Sequence, residues 1–81
     1  MNLYILNDVL YDYTSGMAVI AAESMEQCNQ IFIEKFGGSG DNQYAKTRVF
    51  LQKEFDTADF KVIENVNVGG VGVISYVYGG G

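Results

Sequence analysis

The stretch SMEQCNQIFIEKFGG, residues 24–38, constrains the fold more than any other part of the chain. Ser24 and Gln27 have the spacing of a capping box, in which side chains satisfy the exposed backbone N–H groups of a first helical turn. Apolar residues then recur at steps of three and four, the period of an amphipathic helix. These residues are Met25, Cys28, Ile31, Phe32 and Phe36. Gly37 and Gly38 follow, and glycine at positive φ commonly ends a helix. The pattern predicts a helix over residues 24–36.

Two strands are predicted before this helix. Residues 2–6 are short and apolar, with Tyr and Ile among them, and residues 17–23 centre on Val19 and Ile20. The segment between them, residues 7–16, is rich in Asn, Asp, Ser and Gly, which is typical of a hairpin connection. We therefore expect the two strands to pair antiparallel across that connection.

Two more strands are predicted near the end of the chain. Residues 60–68 alternate between two faces with the period of a strand, and residues 71–78 are β-branched and aromatic. Gly69 and Gly70 lie between them and indicate a tight hairpin turn. Because a strand and not a helix follows these glycines, they do not have the context of a phosphate-binding loop.

The segment 44–55 fits two interpretations. Val49 and Leu51 alternate as on a strand, whereas Ala45, Val49 and Lys53 also fit the spacing of a helix. We favour a strand or an irregular segment near residues 47–52.

Together these elements predict one α+β domain over residues 1–81, in β-β-α-β-β order. The expected architecture is a single antiparallel four-stranded sheet, or a five-stranded one, with one helix (24–36) packed on one face. The residues expected to meet the apolar stripe of the helix are Leu3, Ile5, Val19 and Ala21, with alternate residues of the last two strands.

The residue inventory argues against catalysis. The chain has no histidine and one cysteine, so the usual Cys–His and Ser–His pairs and a zinc site are excluded. Cys28 lies on the apolar stripe and is expected to be a small buried hydrophobe. The aspartate pairs lie in predicted turns, where Asp normally serves backbone hydrogen bonding. We expect no enzyme activity, no cofactor and no metal site.

The charge distribution limits the classes of partner. The net charge is −5, and all five basic residues fall between positions 35 and 61, while the first 34 residues carry five acids and no base. Direct nucleic-acid binding is disfavoured, since phosphates need basic neutralisation, whereas a basic protein partner is compatible. The short apolar runs indicate no membrane span, the start MNLYILNDVL lacks a basic signal-peptide region, and the lone cysteine fits the cytoplasm.

Two surfaces are candidates for binding a partner. Exposed tyrosines are efficient interface anchors, so the acidic, tyrosine-bearing connection is one candidate. Its residues are Asp8, Tyr11, Asp12 and Tyr13. The alternative interpretation is that a tyrosine covers the sheet edge or caps the core. The second candidate is the strand over 71–78, which has no charge and no proline. At a sheet edge it would accept a partner strand, or a second copy to give a homodimer.

Two patches resemble a known kind of protein. The segments NLYIL and YDYTSGMAVIAAESMEQC, and the closing FKVIENVNVGGVGVISYVYGGG, are similar to the start and end of short bacteriophage proteins. The resemblance covers about half of the chain and has no counterpart over residues 37–59. Phage proteins of this size, acidity and layout include inhibitors of host defence, notably anti-CRISPR proteins. The resemblance implies a phage-encoded inhibitor acting in the host cytoplasm.

The leading hypothesis is therefore a non-enzymatic inhibitor that binds a basic, nucleic-acid-handling surface of a host defence complex. One alternative is a homo-oligomeric sponge for a signalling nucleotide. Its phosphates would be held by Lys46, Arg48, Lys53 and Lys61. Another alternative is a structural or assembly accessory protein.

Overall fold

The computed structural model describes residues 1–12, 14–37 and 48–79, except for the side chains of Tyr11 and Asp12. Within these ranges the chain forms one four-stranded antiparallel sheet and two helices, which confirms the α+β class. The elements are β1 (Asn2–Asp12), β2 (Thr14–Ala22), α1 (Met25–Phe36), α2 (Arg48–Thr57), β3 (Asp59–Ile63) and β4 (Gly72–Val77). No helix in the described ranges is long and apolar enough to cross a membrane.

Helix α1 (Met25–Phe36) ends at the predicted residue and begins within one residue of the predicted start, but the backbone after it differs from the prediction. Ser24 Oγ accepts a hydrogen bond from the backbone N–H of Gln27 at 3.2 Å. The Gln27 side chain reaches back one residue further than expected, and accepts from the N–H of Glu23 at 2.7 Å. Gly37 has a φ of −81°, so the predicted positive-φ stop is wrong at this residue. Its N–H donates to Ile33 O at 2.7 Å and so closes the last turn. Gly38 lies outside the described residues.

Helix α2 (Arg48–Thr57) lies where we favoured a strand or an irregular segment near residues 47–52, so that preference and the single-helix prediction are wrong. Leu51 and Phe55 are four residues apart and both are buried, so they form the inward face of a short helix. Val49, which alternated with Leu51 in the strand interpretation, is 73% exposed. The alternation was therefore coincidental, because only one of the two residues belongs to the core.

The strand order is β3-β1-β2-β4, so the last two strands lie at opposite edges of the sheet. The tight hairpin predicted at Gly69 and Gly70 is wrong. Ile63, at the end of β3, pairs with Leu3, and Gly72, at the start of β4, pairs with Ala21. Since Leu3 and Ala21 are themselves partners, the connection crosses the sheet at one end. Each edge of the central β1–β2 hairpin thus receives one strand.

The core lies between the helices and one face of the sheet. The sheet contributes Tyr4, Leu6, Ala18, Ile20 and Ala22, and the helices contribute Cys28, Phe32, Ile33, Phe36, Leu51 and Phe55. Leu3, Ile5, Val19 and Ala21 alternate with these residues and so lie on the opposite face. The prediction that these four residues meet α1 is wrong, because their neighbours in the sequence face the helix instead. In a strand, a shift of one residue moves a side chain to the other face of the sheet.

Aromatic rings link the two helices to an edge strand. Phe32 of α1 lies 5.7 Å, between ring centroids, from Phe55 of α2, and Phe55 lies 4.9 Å from Phe60 of β3. Both pairs are tilted or edge-to-face, which are favoured geometries. The helices also meet through Asn29, whose Nδ2 donates to Gln52 Oε1 at 3.1 Å.

At Gly16 the backbone of β2 lies close to the backbone at the end of β4. A Cβ atom built on Gly16 would lie 2.1 Å from Val77 O and 2.8 Å from Gly79 N. Both are backbone atoms, so no side-chain rotation would relieve the overlap. The sequence therefore requires glycine here for packing.

Gly16→Ala should destabilise the fold by about 1–3 kcal/mol, because the added methyl group overpacks a backbone contact. Gly69→Ala is the matched control, since a Cβ there meets nothing within 4 Å, and it should change stability by less than about 0.5 kcal/mol. Urea unfolding monitored by circular dichroism measures both. Equal stability of the two variants would contradict the close approach.

Candidate functional site

The predicted hairpin connection over residues 7–16 is mostly strand. β1 continues to Asp12 and β2 begins at Thr14, with register shifts between Asn7 and Val9 and between Val9 and Asp12. Three of the four predicted binding residues therefore lie towards the far end of a long hairpin. Asp8, Tyr11 and Asp12 belong to β1, and Tyr13 lies outside the described residues.

Part of this segment is buried at the register shifts, although its polar composition predicted an exposed connection. Asp8 is exposed, with a φ of 61°, whereas Val9 and Leu10 are fully buried. Leu10 itself has a φ of 55°. Aspartate tolerates this left-handed conformation, but for leucine it costs on the order of 1–3 kcal/mol and persists only where the surroundings impose it.

Two contacts impose that conformation on Leu10. Its N–H donates to Oε1 of the buried Glu54 at 2.9 Å, and its carbonyl accepts from the N–H of Gly79 at 3.0 Å. Glu54 belongs to α2, and Gly79 follows β4. The end of the hairpin is thus fixed from both sides by distant parts of the chain, which holds Asp8 on a defined backbone.

A further acidic residue joins this end of the sheet. Asp59, the first residue of β3, pairs with Asn7 and is exposed. Asp59 therefore lies opposite the residue that immediately precedes Asp8 in β1. Asp56, also exposed, precedes it in the last turn of α2. This grouping was not predicted, because residues 8 and 59 come together only through the β1–β3 pairing, for which the sequence carries no local signal. We call Asp8, Asp56 and Asp59 the acidic end.

The edge of β4 borders a groove against α1. The groove has a volume of about 580 Å³. Its lining residues are Ile31, Glu34, Lys35, Val73, Ile74, Ser75 and Tyr76. We call β4 with this groove the β4 edge. Strand addition at β4 requires that this strand lie at a sheet edge, and the strand order places it there.

Tyr76 and Tyr78 lie on the helix side of this edge and not on the opposite face. Both rings contact Phe36 edge-to-face, at centroid distances of 5.2 and 6.0 Å, although about half of each side chain is exposed. Lys35 Nζ lies 5.7 Å from the centre of the Tyr76 ring. Partial burial raises the pKa of Tyr78, and the charges of Tyr76 and Glu54 raise it further. The aromatic pair therefore shields the core and also lines the β4 edge.

The described basic residues do not converge on one site. Arg48 and Lys53 are exposed on α2, in the helix layer. Lys61 pairs with Ile5, which places it on the sheet face away from the helices. Lys46 lies outside the described residues. Phosphate binding by all four within one copy is therefore not supported by this arrangement.

The described residues include no group of three or more acids or cysteines arranged to hold a metal ion. The buried Cys28 lies in the helix-side core, and burial raises its pKa from 9.0 to about 12. The thiolate that nucleophilic chemistry requires is thus suppressed at neutral pH.

Comparisons with known proteins leave the function open. The chain matches no protein-family model, and neither the curated proteins nor the solved structures include a significant match to it.

Cys28 should react with Ellman's reagent at pH 8 far more slowly in the folded chain than in guanidinium. A rise in pKa from 9.0 to about 12 lowers the thiolate fraction by roughly a thousandfold, and exclusion from solvent slows the reaction further. Below about pH 9 the thiol is protonated in both states, so this group reduces stability only as the pH rises towards 12. Rapid labelling of the native protein would contradict this environment.

Glu54→Leu should destabilise the chain by about 1–3 kcal/mol, because it leaves the buried N–H of Leu10 without the carboxylate that accepts from it. Glu64→Leu makes the same change at an exposed position and should stay within about 0.5 kcal/mol of the parent. Thermal unfolding of both variants provides the measurement. A Glu54 variant as stable as the parent would show that the carboxylate does not fix the hairpin.

Proposed function

We propose that this protein is a non-enzymatic inhibitor that binds a basic, nucleic-acid-handling surface of a bacterial defence complex. It would do so in the host cytoplasm, as the resemblance to small phage proteins implies. The observation that supports this best is the acidic end, where the β1–β3 pairing groups exposed Asp59 with exposed Asp8.

The electrostatic part of the proposal follows from charge complementarity. A surface that handles nucleic acid carries Lys and Arg side chains that neutralise phosphates. A rigid cluster of carboxylates competes for the same side chains and accelerates the encounter through long-range attraction. The net charge of −5 adds to this attraction, while a general binder of nucleic acid would need the opposite sign.

The fixed backbone at Leu10 supports binding without a large ordering cost. Glu54 and Gly79 hold this residue from two sides, so Asp8 is presented by a hairpin whose conformation is set before the encounter. Preorganisation of this kind lowers the entropy lost on association. Tyr11 and Tyr13, which follow Asp8 in the sequence, are the proposed aromatic anchors.

The nucleotide sponge is the weaker candidate. Arg48 and Lys53 lie in the helix layer, whereas Lys61 lies on the opposite sheet face. A sponge would have to bring these residues together from different subunits. Native mass spectrometry of protein from fresh lysate tests it directly, since a retained nucleotide would favour the sponge over the inhibitor.

The double variant Asp8→Asn/Asp59→Asn should bind its defence complex about tenfold more weakly at low salt, because it removes two attractive charges. At about 0.5 M salt the difference should fall to twofold or less, since the Debye length becomes shorter than the charge separations. Titration calorimetry against a panel of purified nucleic-acid-guided defence complexes measures this, with nucleic acid as competitor.

The matched control is Glu26→Gln/Glu64→Gln, which removes the same charge from the opposite end of the sheet. Its affinity should change less than that of the acidic-end variant. The proposal is wrong if no complex in the panel binds the chain, or if both double variants weaken binding equally.

A further inference from the structure

The two edges of the sheet are unlike. The β3 edge carries Asp59 and Lys61 within its five residues, whereas the six residues of β4, from Gly72 to Val77, include no charged residue and no proline. Charged side chains on an edge strand discourage pairing with another chain, and proline removes a donor. Only the β3 edge is therefore protected by charge, whereas the irregularity in β4 is a register shift that leaves Ile74 without a partner position on β2.

The outer side of β4 is also exposed. Among the described strands only β2 pairs with β4, so no described strand occupies the backbone groups on its outer side. Ile74 is 55% exposed there. A partner strand would satisfy these backbone groups and cover the apolar side chains of the β4 edge.

We infer that β4 pairs antiparallel with β4 of a second copy about a two-fold axis, which joins the two sheets into one of eight strands. A two-fold axis makes the same patch meet itself, and two copies of one strand related in this way run antiparallel. The inference concerns the β4 edge alone and does not rest on the proposed inhibitor function.

The charges beside β4 favour a second copy over an unrelated charged segment. Glu34 and Lys35 are consecutive, have opposite signs and line the groove next to the middle of β4. A two-fold axis through the middle of β4 would bring this pair of opposite charges in one copy towards the same pair in the other, so that both reciprocal Glu34–Lys35 attractions could form together. Because the strand is uncharged and the groove carries no net charge, neither an acidic nor a basic peptide is preferred.

The size of the interface sets the expected affinity. It would include about ten residues from each copy, whereas a standard stable interface has roughly 20–30 residues a side. We therefore expect a monomer–dimer equilibrium with a Kd in the micromolar range or weaker. Each copy has a net charge of −5, so salt should strengthen the dimer by screening the repulsion between copies.

Sedimentation equilibrium of the intact chain over roughly 5–500 μM tests the inference. The parent chain should show a rising dimer fraction, and higher salt should increase it. Ile74→Lys should raise the Kd at least tenfold, because it places two like charges close together across the axis. Ile63→Lys is the matched control on β3, where the same residue is 44% exposed, and it should dimerise like the parent.

Hydrogen exchange of the unmodified chain provides a measurement that needs no variant. Raising the concentration should slow exchange in residues 72–77 and leave residues 59–63 unchanged. The inference is overturned by a monomer at every concentration, by equal effects of the two lysine variants, or by protection that appears in β3 instead. Higher salt is expected to weaken the proposed inhibitor complex and to strengthen this dimer. The two proposals can therefore fail independently, and the salt dependence shows which one has failed.

Discussion

The helix-side face of the central β1–β2 hairpin is the surface on which the rest of the structure depends. Leu6 and Ile20 are fully buried there against Phe32 and Leu51 of the two helices. Burial of each such side chain contributes about 1.5–3 kcal/mol, whereas an isolated hairpin is marginal at best. Both helices lie in the connection between β2 and β3, so they cover one face together. The strands β3 and β4 therefore pair with the two outer edges of the hairpin, one on each side.

Local signals predicted α1 well and α2 poorly, for a physical reason. The cap at Ser24 and the stripe of α1 are encoded within a few residues, so they can be read without the rest of the chain. In α2, Leu51 and Phe55 are core residues, but exposed Val49 and Phe50 obscure the helical period. Which apolar residue is buried depends on the sheet beneath it. The same dependence explains why the predicted inward faces of β1 and β2 were exchanged.

The acidic end could be predicted only in part. Asp8 was selected from the sequence because its segment is acidic and polar, yet that composition hid the buried Val9 and Leu10 behind it. The positive φ of Leu10 is sustained by Glu54, which is 44 residues away. Asp59 likewise joins Asp8 only through strand pairing. Composition therefore indicated the character of this surface, while its geometry depends on contacts between distant residues.

The two proposed binding surfaces lie only partly apart, because Asp8 and Val77 of β4 line the same pocket. Asp59 belongs to one edge strand and β4 is the other, with β1 and β2 between them, a separation of about 14 Å at the usual strand spacing. Pairing through β4 would leave Asp59 of each copy free. A dimer would then present two acidic ends related by the two-fold axis. Against a partner with repeated basic sites, the second contact would form at a high effective concentration, so a weak dimer can still increase inhibition.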